Sequence, residues 1–273
     1  MYYSGLLKAV PTLLGVVGAI FLLGGCASDA DEGSLSDEIN GGPTPRTVCF
    51  AGRTFGDVMT SGGIAEIGRL CKAMPNLIRD VPGGRDAPYD FFQWDSNLAH
   101  EMDAIVTALD TNHDGQVTSA DAAVTLTVVG YSWGGYNAVD FINAVASDRR
   151  FGADRKQVAK FFALDAFRTD YLIVPRARMD VPANVQKFYS FRHTVAPADD
   201  CSIILGGLFG PFTGRVPYCT GSTECHDYDF SRADATKNVD HCAVPDAAHD
   251  DVVEINSGAP PTALPPESKV AHY

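Results

Sequence analysis

The stretch that most constrains the fold is "VTLTVVGYSWGGYNAVDFINAVA", residues 124 to 146. It begins with a continuous β-branched run, the pattern of a strand buried on both faces. It ends in apolar residues at helical spacing. Between them Gly130-Tyr131-Ser132-Trp133-Gly134 leaves no room for a loop. The chain must turn from strand to helix within a few residues, with Ser132 at the apex. Such a turn strains its central residue and needs glycines where side chains would meet neighbouring backbone.

The rest of the chain supplies the sheet this strand needs. "TVCFAG", "YDFFQWD", "VAKFFALD" and "VQKFYSF" read as further strands. "GGIAEIGRLCKAM" carries Ile64, Ile67, Leu70, Cys71 and Met74 at helical spacing. "SNLAHEMDAIVTALD" places Leu98, Met102, Ile105, Val106 and Leu109 on one face, with Ser96 as the expected cap. Alternating strands and helices predict an α/β fold with a mostly parallel sheet flanked by helices. A chain of 273 residues suits one large domain. The formal charge of −13 argues against a nucleic-acid partner.

The ends read differently. Residues 1–25 have one cation, Lys8, and a short apolar stretch interrupted by Pro11. That is the pattern of an export signal rather than a spanning helix. It closes in "LLGGC", which resembles a bacterial lipobox. The resemblance implies that Cys26 carries a lipid, that the protein is an envelope lipoprotein anchored to a membrane, and that Ala27 after it directs it to the outer membrane. Residues 26–45 are acidic and poor in apolar groups, as in a flexible tether. The folded domain is expected over 46–256 and a loose Pro-rich tail over 257–273.

Six cysteines remain beyond Cys26, an even number that favours disulfides in an exported chain. Six allow 15 pairings. Cys219 with Cys225 would close a small loop; sequence cannot choose among the pairings of the rest, of which Cys49–Cys71 with Cys201–Cys242 is one. Zinc held by His226, His241 and nearby cysteines is the less favoured reading.

The turn at Ser132, with a buried strand before it and an amphipathic helix after it, resembles the nucleophile elbow of the α/β-hydrolase family, lipase and esterase group. "VAKFFALDAF" and "NVDHCAVPDAAHDDVVEI" resemble the family's acid-bearing strand end and late histidine loop. The order Ser, Asp, His is that of the fold. The resemblance implies a reduced α/β-hydrolase, since only about 80 residues of the body precede Ser132. It also implies acyl transfer on a small-molecule or lipid ester. Asp165 is the favoured acid, with Asp199 and Asp200 as alternatives. His249 is the favoured base because it precedes a helix-like segment; His241 is the alternative. The oxyanion donors would be the Trp133 N–H and an N–H from the loop around Gly52, Arg53 and Thr54. Tyr131, Trp133 and Phe55 could line an acyl pocket or pack the elbow.

Immediately upstream, "DTNHDGQVTSAD" fits a calcium loop of EF-hand type over residues 110–121. Asp110, Asn112 and Asp114 offer side-chain oxygens at positions 1, 3 and 5, and Gly115 permits the sharp turn at position 6. Gln116 would offer its carbonyl, and Asp121 closes the loop where glutamate is usual. Aspartate there resembles the shorter loops of dockerin modules. A single loop with no partner loop predicts a structural Ca2+ rather than a sensor. The competing reading is a non-catalytic calcium-binding surface lipoprotein. The two part on whether Ser132 meets a histidine and a carboxylate.

Overall fold

The computed structural model describes residues 43–52, 63–78, 92, 97–167, 169–170, 174–175, 178–194, 214–233, 239–262, 264–265, 267–268 and 270. Five strands form one parallel sheet: β1 (Thr44–Phe50), β2 (Val124–Tyr131), β3 (Val158–Leu164), β7 (Val185–Arg192) and β9 (Glu224–Asp229), in that order across the sheet. Two small pairings lie outside it. β4 (Thr169–Asp170) runs antiparallel to β5 (Val174–Pro175), and β6 (Arg178–Asp180) runs parallel to β8 (Val216–Tyr218).

Strand alternation sends side chains to two separate cores. Val48, Phe50, Leu126, Val128, Phe161 and Phe188 point to one face. There they meet α2 (Leu98–Leu109) and α3 (Trp133–Ser147) through residues such as Ile105, Phe141 and Ile142. Cys49, Val129, Phe162 and Phe191 point to the other, under α1 (Gly63–Ala73) and the terminal helix His249–Ser257. Both faces are covered, which explains the unbroken β-branched run of β2. Each fully buried phenylalanine contributes about 1.5–3 kcal/mol from apolar burial.

The mostly parallel sheet flanked by helices is the expected α/β architecture. Local differences have clear causes. The cap of α2 is Asn97, whose Oδ1 accepts from the Ala99 N–H at 2.9 Å; Ser96 lies outside the described residues. Leu98, expected on the buried face, is exposed. Of "YDFFQWD" only Phe92 is described, bridging to Phe50. β1 starts at Thr44, earlier than the expected boundary of the domain.

β9 was not expected as a strand. Its sequence, ECHDYD, is too polar for the apolar pattern, but its polar groups have partners. Arg192 binds Asp227 through two contacts of 2.8 and 2.7 Å, both residues buried. Glu267 and Ser268, from the expected loose tail, lie against this edge. Glu267 bridges to Tyr228 and binds His226 Nδ1 at 2.9 Å, while the Ser268 N–H donates to the Asp227 carbonyl. The tail thereby covers part of an otherwise open sheet edge.

Cys49–Cys71 and Cys219–Cys225 are disulfides, as expected. Cys242 is also disulfide-bonded; Cys201, its expected partner, lies outside the described residues. With Cys225 and Cys242 oxidised, the zinc reading loses its thiolate ligands.

Candidate active site

Ser132 stands at the C-terminal end of β2 and at the start of α3, with φ 54° and ψ −125°. A non-glycine residue at positive φ is strained and persists only where its surroundings enforce it. Here β3 does so: the Ser132 N–H donates to the Leu164 carbonyl at 3.0 Å. The Ser132 carbonyl in turn accepts from Gly135 and Phe167. Glycine is required around the turn for space. A Cβ at Gly134 would run into the carbonyl oxygens of Phe50 and Ala51. A Cβ at Gly52 would lie 2.8 Å from the Ser132 Cβ, so the loop after β1 passes directly beside the serine.

Asp165 follows β3 in a second positive-φ position, φ 45°, and is completely buried. Its Oδ1 accepts backbone N–H groups from His193 at 3.0 Å and Gly214 at 2.8 Å. Its Oδ2 lies 2.6 Å from His241 Nδ1 and 2.8 Å from His193 Nδ1. Burial on its own would raise this carboxyl's pKa. The two imidazoles more than reverse that and hold it at about 2.

His241 Nε2 lies 2.9 Å from Ser132 Oγ. Serine, histidine and carboxylate are therefore joined in one hydrogen-bonded line, with Ser132 and His241 both buried. Tyr131 fixes the imidazole from behind. Its ring stacks on His241 with centroids 5.1 Å apart, and its hydroxyl donates to the His241 carbonyl at 3.1 Å.

The favoured base is corrected by this geometry. His249 opens the terminal helix and faces Asp250 at 2.9 Å on the surface. His241 occupies the place expected of His249. A signal for this existed in the sequence. Val244, Ala248, Val252 and Ile255 form the buried stripe. His249 falls one residue off that stripe, whereas His241 stands in the turn that leads into it. Of the competing acids, Asp199 and Asp200 lie outside the described residues, as do Arg53, Thr54, Phe55 and Cys26. Trp133 is in place: it is the first residue of α3, directly after the serine, and is half-buried.

The 110–121 loop sits at the opposite end of β2. Asp110 Oδ2 accepts from the Gly115 N–H at 2.7 Å, and Gly115 has φ 83°. Asn112 Oδ1 accepts from Asp114, and Asp114 Oδ1 from Gln116. Asp121 Oδ1 accepts from Thr111 and Asn112, and its Oδ2 from Thr118. The Thr118 N–H holds the Asp121 carboxyl below its ordinary pKa, opposed by burial and aided by the Asn112 and Thr111 amides. The loop's donors are all oxygen, the chemistry of a hard cation. Among the described residues, however, no three His, Cys, Asp or Glu side chains gather into a metal-holding group. Instead Val117 bridges to Phe151, and Arg155 donates to the Thr118 and Asp121 carbonyls at 3.0 Å each.

No protein-family model matches the chain, and no curated protein matches it. Among solved structures it is similar to a protein of unknown function from Agrobacterium tumefaciens, provisionally assigned to the alpha/beta hydrolases. That match has 13% identity and a TM-score of 0.36, over 82% of this chain and 89% of that one. It is also similar to a provisionally assigned hydrolase from Agrobacterium vitis S4, with 14% identity and a TM-score of 0.30, over 75% of this chain and 86% of that one.

Proposed function

We propose that this chain is a serine hydrolase of the esterase or lipase type. The observation that carries this reading is the line Ser132 Oγ, His241 Nε2, His241 Nδ1, Asp165 Oδ2, with contacts of 2.9 and 2.6 Å. His241 takes the Ser132 proton as the oxygen attacks an ester carbonyl. Asp165 fixes the imidazole tautomer and stabilises the imidazolium. The proton then passes from His241 to the departing alkoxide. Water, deprotonated by the same histidine, attacks the acyl-enzyme and releases the acid. The Trp133 N–H, at the N-terminus of α3, is the proposed oxyanion donor. The loop running beside Ser132 at Gly52 would supply the second, from Arg53 or Thr54.

The test is hydrolysis of a p-nitrophenyl acyl ester. Wild type should turn it over and Ser132→Ala should not. Equal rates for the two would sink the proposal and restore the non-catalytic reading.

Two further elements belong to this proposal. The 110–121 loop would hold Ca2+ through Asp110, Asn112, Asp114, Asp121 and the Gln116 carbonyl. When bound, the ion would neutralise the loop's carboxylates; no step of ester cleavage involves it. Lipidation at Cys26 would anchor the enzyme to the cell envelope. No helix among the described residues is long and apolar enough to cross a membrane.

A further inference from the structure

The proposed mechanism uses one histidine, yet two rings meet the Asp165 carboxylate. His193 follows β7, is fully buried, and places Nδ1 2.8 Å from the same Oδ2 that receives His241. Its backbone N–H donates to Oδ1. The two imidazole centroids are 6.3 Å apart. The hydrogen-bonded line to Ser132 runs through His241. The His193 ring is the largest of the influences that pull the Asp165 carboxyl down against the effect of burial.

We propose that His193 is a positioning residue for the triad: it grips both oxygens of the Asp165 carboxylate and shares that negative charge with His241. The inference rests on the serine-hydrolase reading. A carboxylate free to rotate would break the bond that orients His241. His193 holds it from two points, its backbone on one oxygen and its ring on the other. The charge sharing has a second consequence. When His193 is protonated, it opposes protonation of His241 on the same carboxylate. Other charged groups felt at this carboxylate, among the described residues, are Arg192 and Arg215. Arg192 is neutralised by Asp227 across β9. Arg215 lies over the Phe167 ring.

The test compares His193→Phe, which keeps an aromatic ring without nitrogen, with His193→Gln, which restores a polar contact. Each is assayed for folding by circular dichroism and for the pH profile of p-nitrophenyl ester hydrolysis. The expected result for folded His193→Phe is a roughly ten- to hundredfold lower kcat, an unchanged KM, and an acid limb moved to higher pH. His193→Gln should recover part of the rate. A packing role alone would leave the acid limb in place. Unchanged kcat and acid limb in either folded variant overturns the inference, while inactive wild type overturns the serine-hydrolase reading instead. If His193→Phe does not fold, His193→Gln decides: a wild-type acid limb overturns the inference, and a shifted one supports it.

Discussion

His241 is the residue on which the proposed chemistry turns, because its ring touches both Ser132 and Asp165. His241→Gln should lower kcat/KM on the order of a thousandfold or more. His249→Ala should stay within about twofold of wild type, as surface substitutions do. Equal losses in both variants would contradict the placement. Asp165 makes a pH prediction. Its folded pKa, about 2, lies below the ordinary aspartate value of 3.8. The stability gained from its ionisation is therefore fully present above about pH 4 and is lost as pH falls toward 2. Urea unfolding of wild type and Asp165→Asn should show a stability difference that closes as pH falls from about 4 toward 2. A difference that does not change over that acid window would contradict the assigned shift. The serine and the acid were both legible in the sequence because each ends an apolar strand, and a strand end fixes a side chain's place. The histidine comes from a turn between Asp240 and a four-residue helix, Val244–Ala247. Turn residues are placed by long-range contacts, here the Tyr131 ring and the Asp165 carboxylate. The place of His249 directly before the longer terminal helix made it look like the better anchor.

Among the elements, β2 links the two signatures that adjoin in the sequence. It has 8 residues. At ~3.3 Å per residue it separates the 110–121 loop from Ser132 by roughly 25 Å. A cation there acts on stability, not on the oxyanion. Taking the ~10⁻⁴ M affinity typical of extracellular sites, 10 mM calcium is about a hundredfold excess and adds about 2.7 kcal/mol. That corresponds to a rise in Tm of roughly 5–10 °C for a domain of this size. Chelator should reverse it, and Asp121→Ala should abolish it. An identical Tm with and without calcium would remove the ion from the account. The remaining elements divide by chemistry. β1, β2, β3 and β7 were visible because apolar side chains dominate them. β9 was not, because an edge strand can satisfy polar residues laterally, as Arg192–Asp227 and His226–Glu267 do.

At the scale of the molecule, the parallel sheet gathers Ser132, Asp165 and His193 at the carboxyl ends of β2, β3 and β7. That is the usual place for a site in an open α/β sheet. The loop at 110–121 occupies the amino end of β2. On the proposed reading, one end serves chemistry and the other stabilisation. If the chain is also tethered through Cys26, Cys26→Ala should move the protein from the membrane fraction to the soluble fraction without changing its specific activity. Retention on membranes would contradict the anchor.

The central claim is that Ser132 is a nucleophile activated by His241. It is tested most directly by exposing folded wild type to a fluorophosphonate probe and mapping the modified peptide by mass spectrometry. The account predicts one adduct, on Ser132, absent in Ser132→Ala and strongly slowed in His241→Gln. No adduct on folded wild type, or an adduct on another residue, would contradict it.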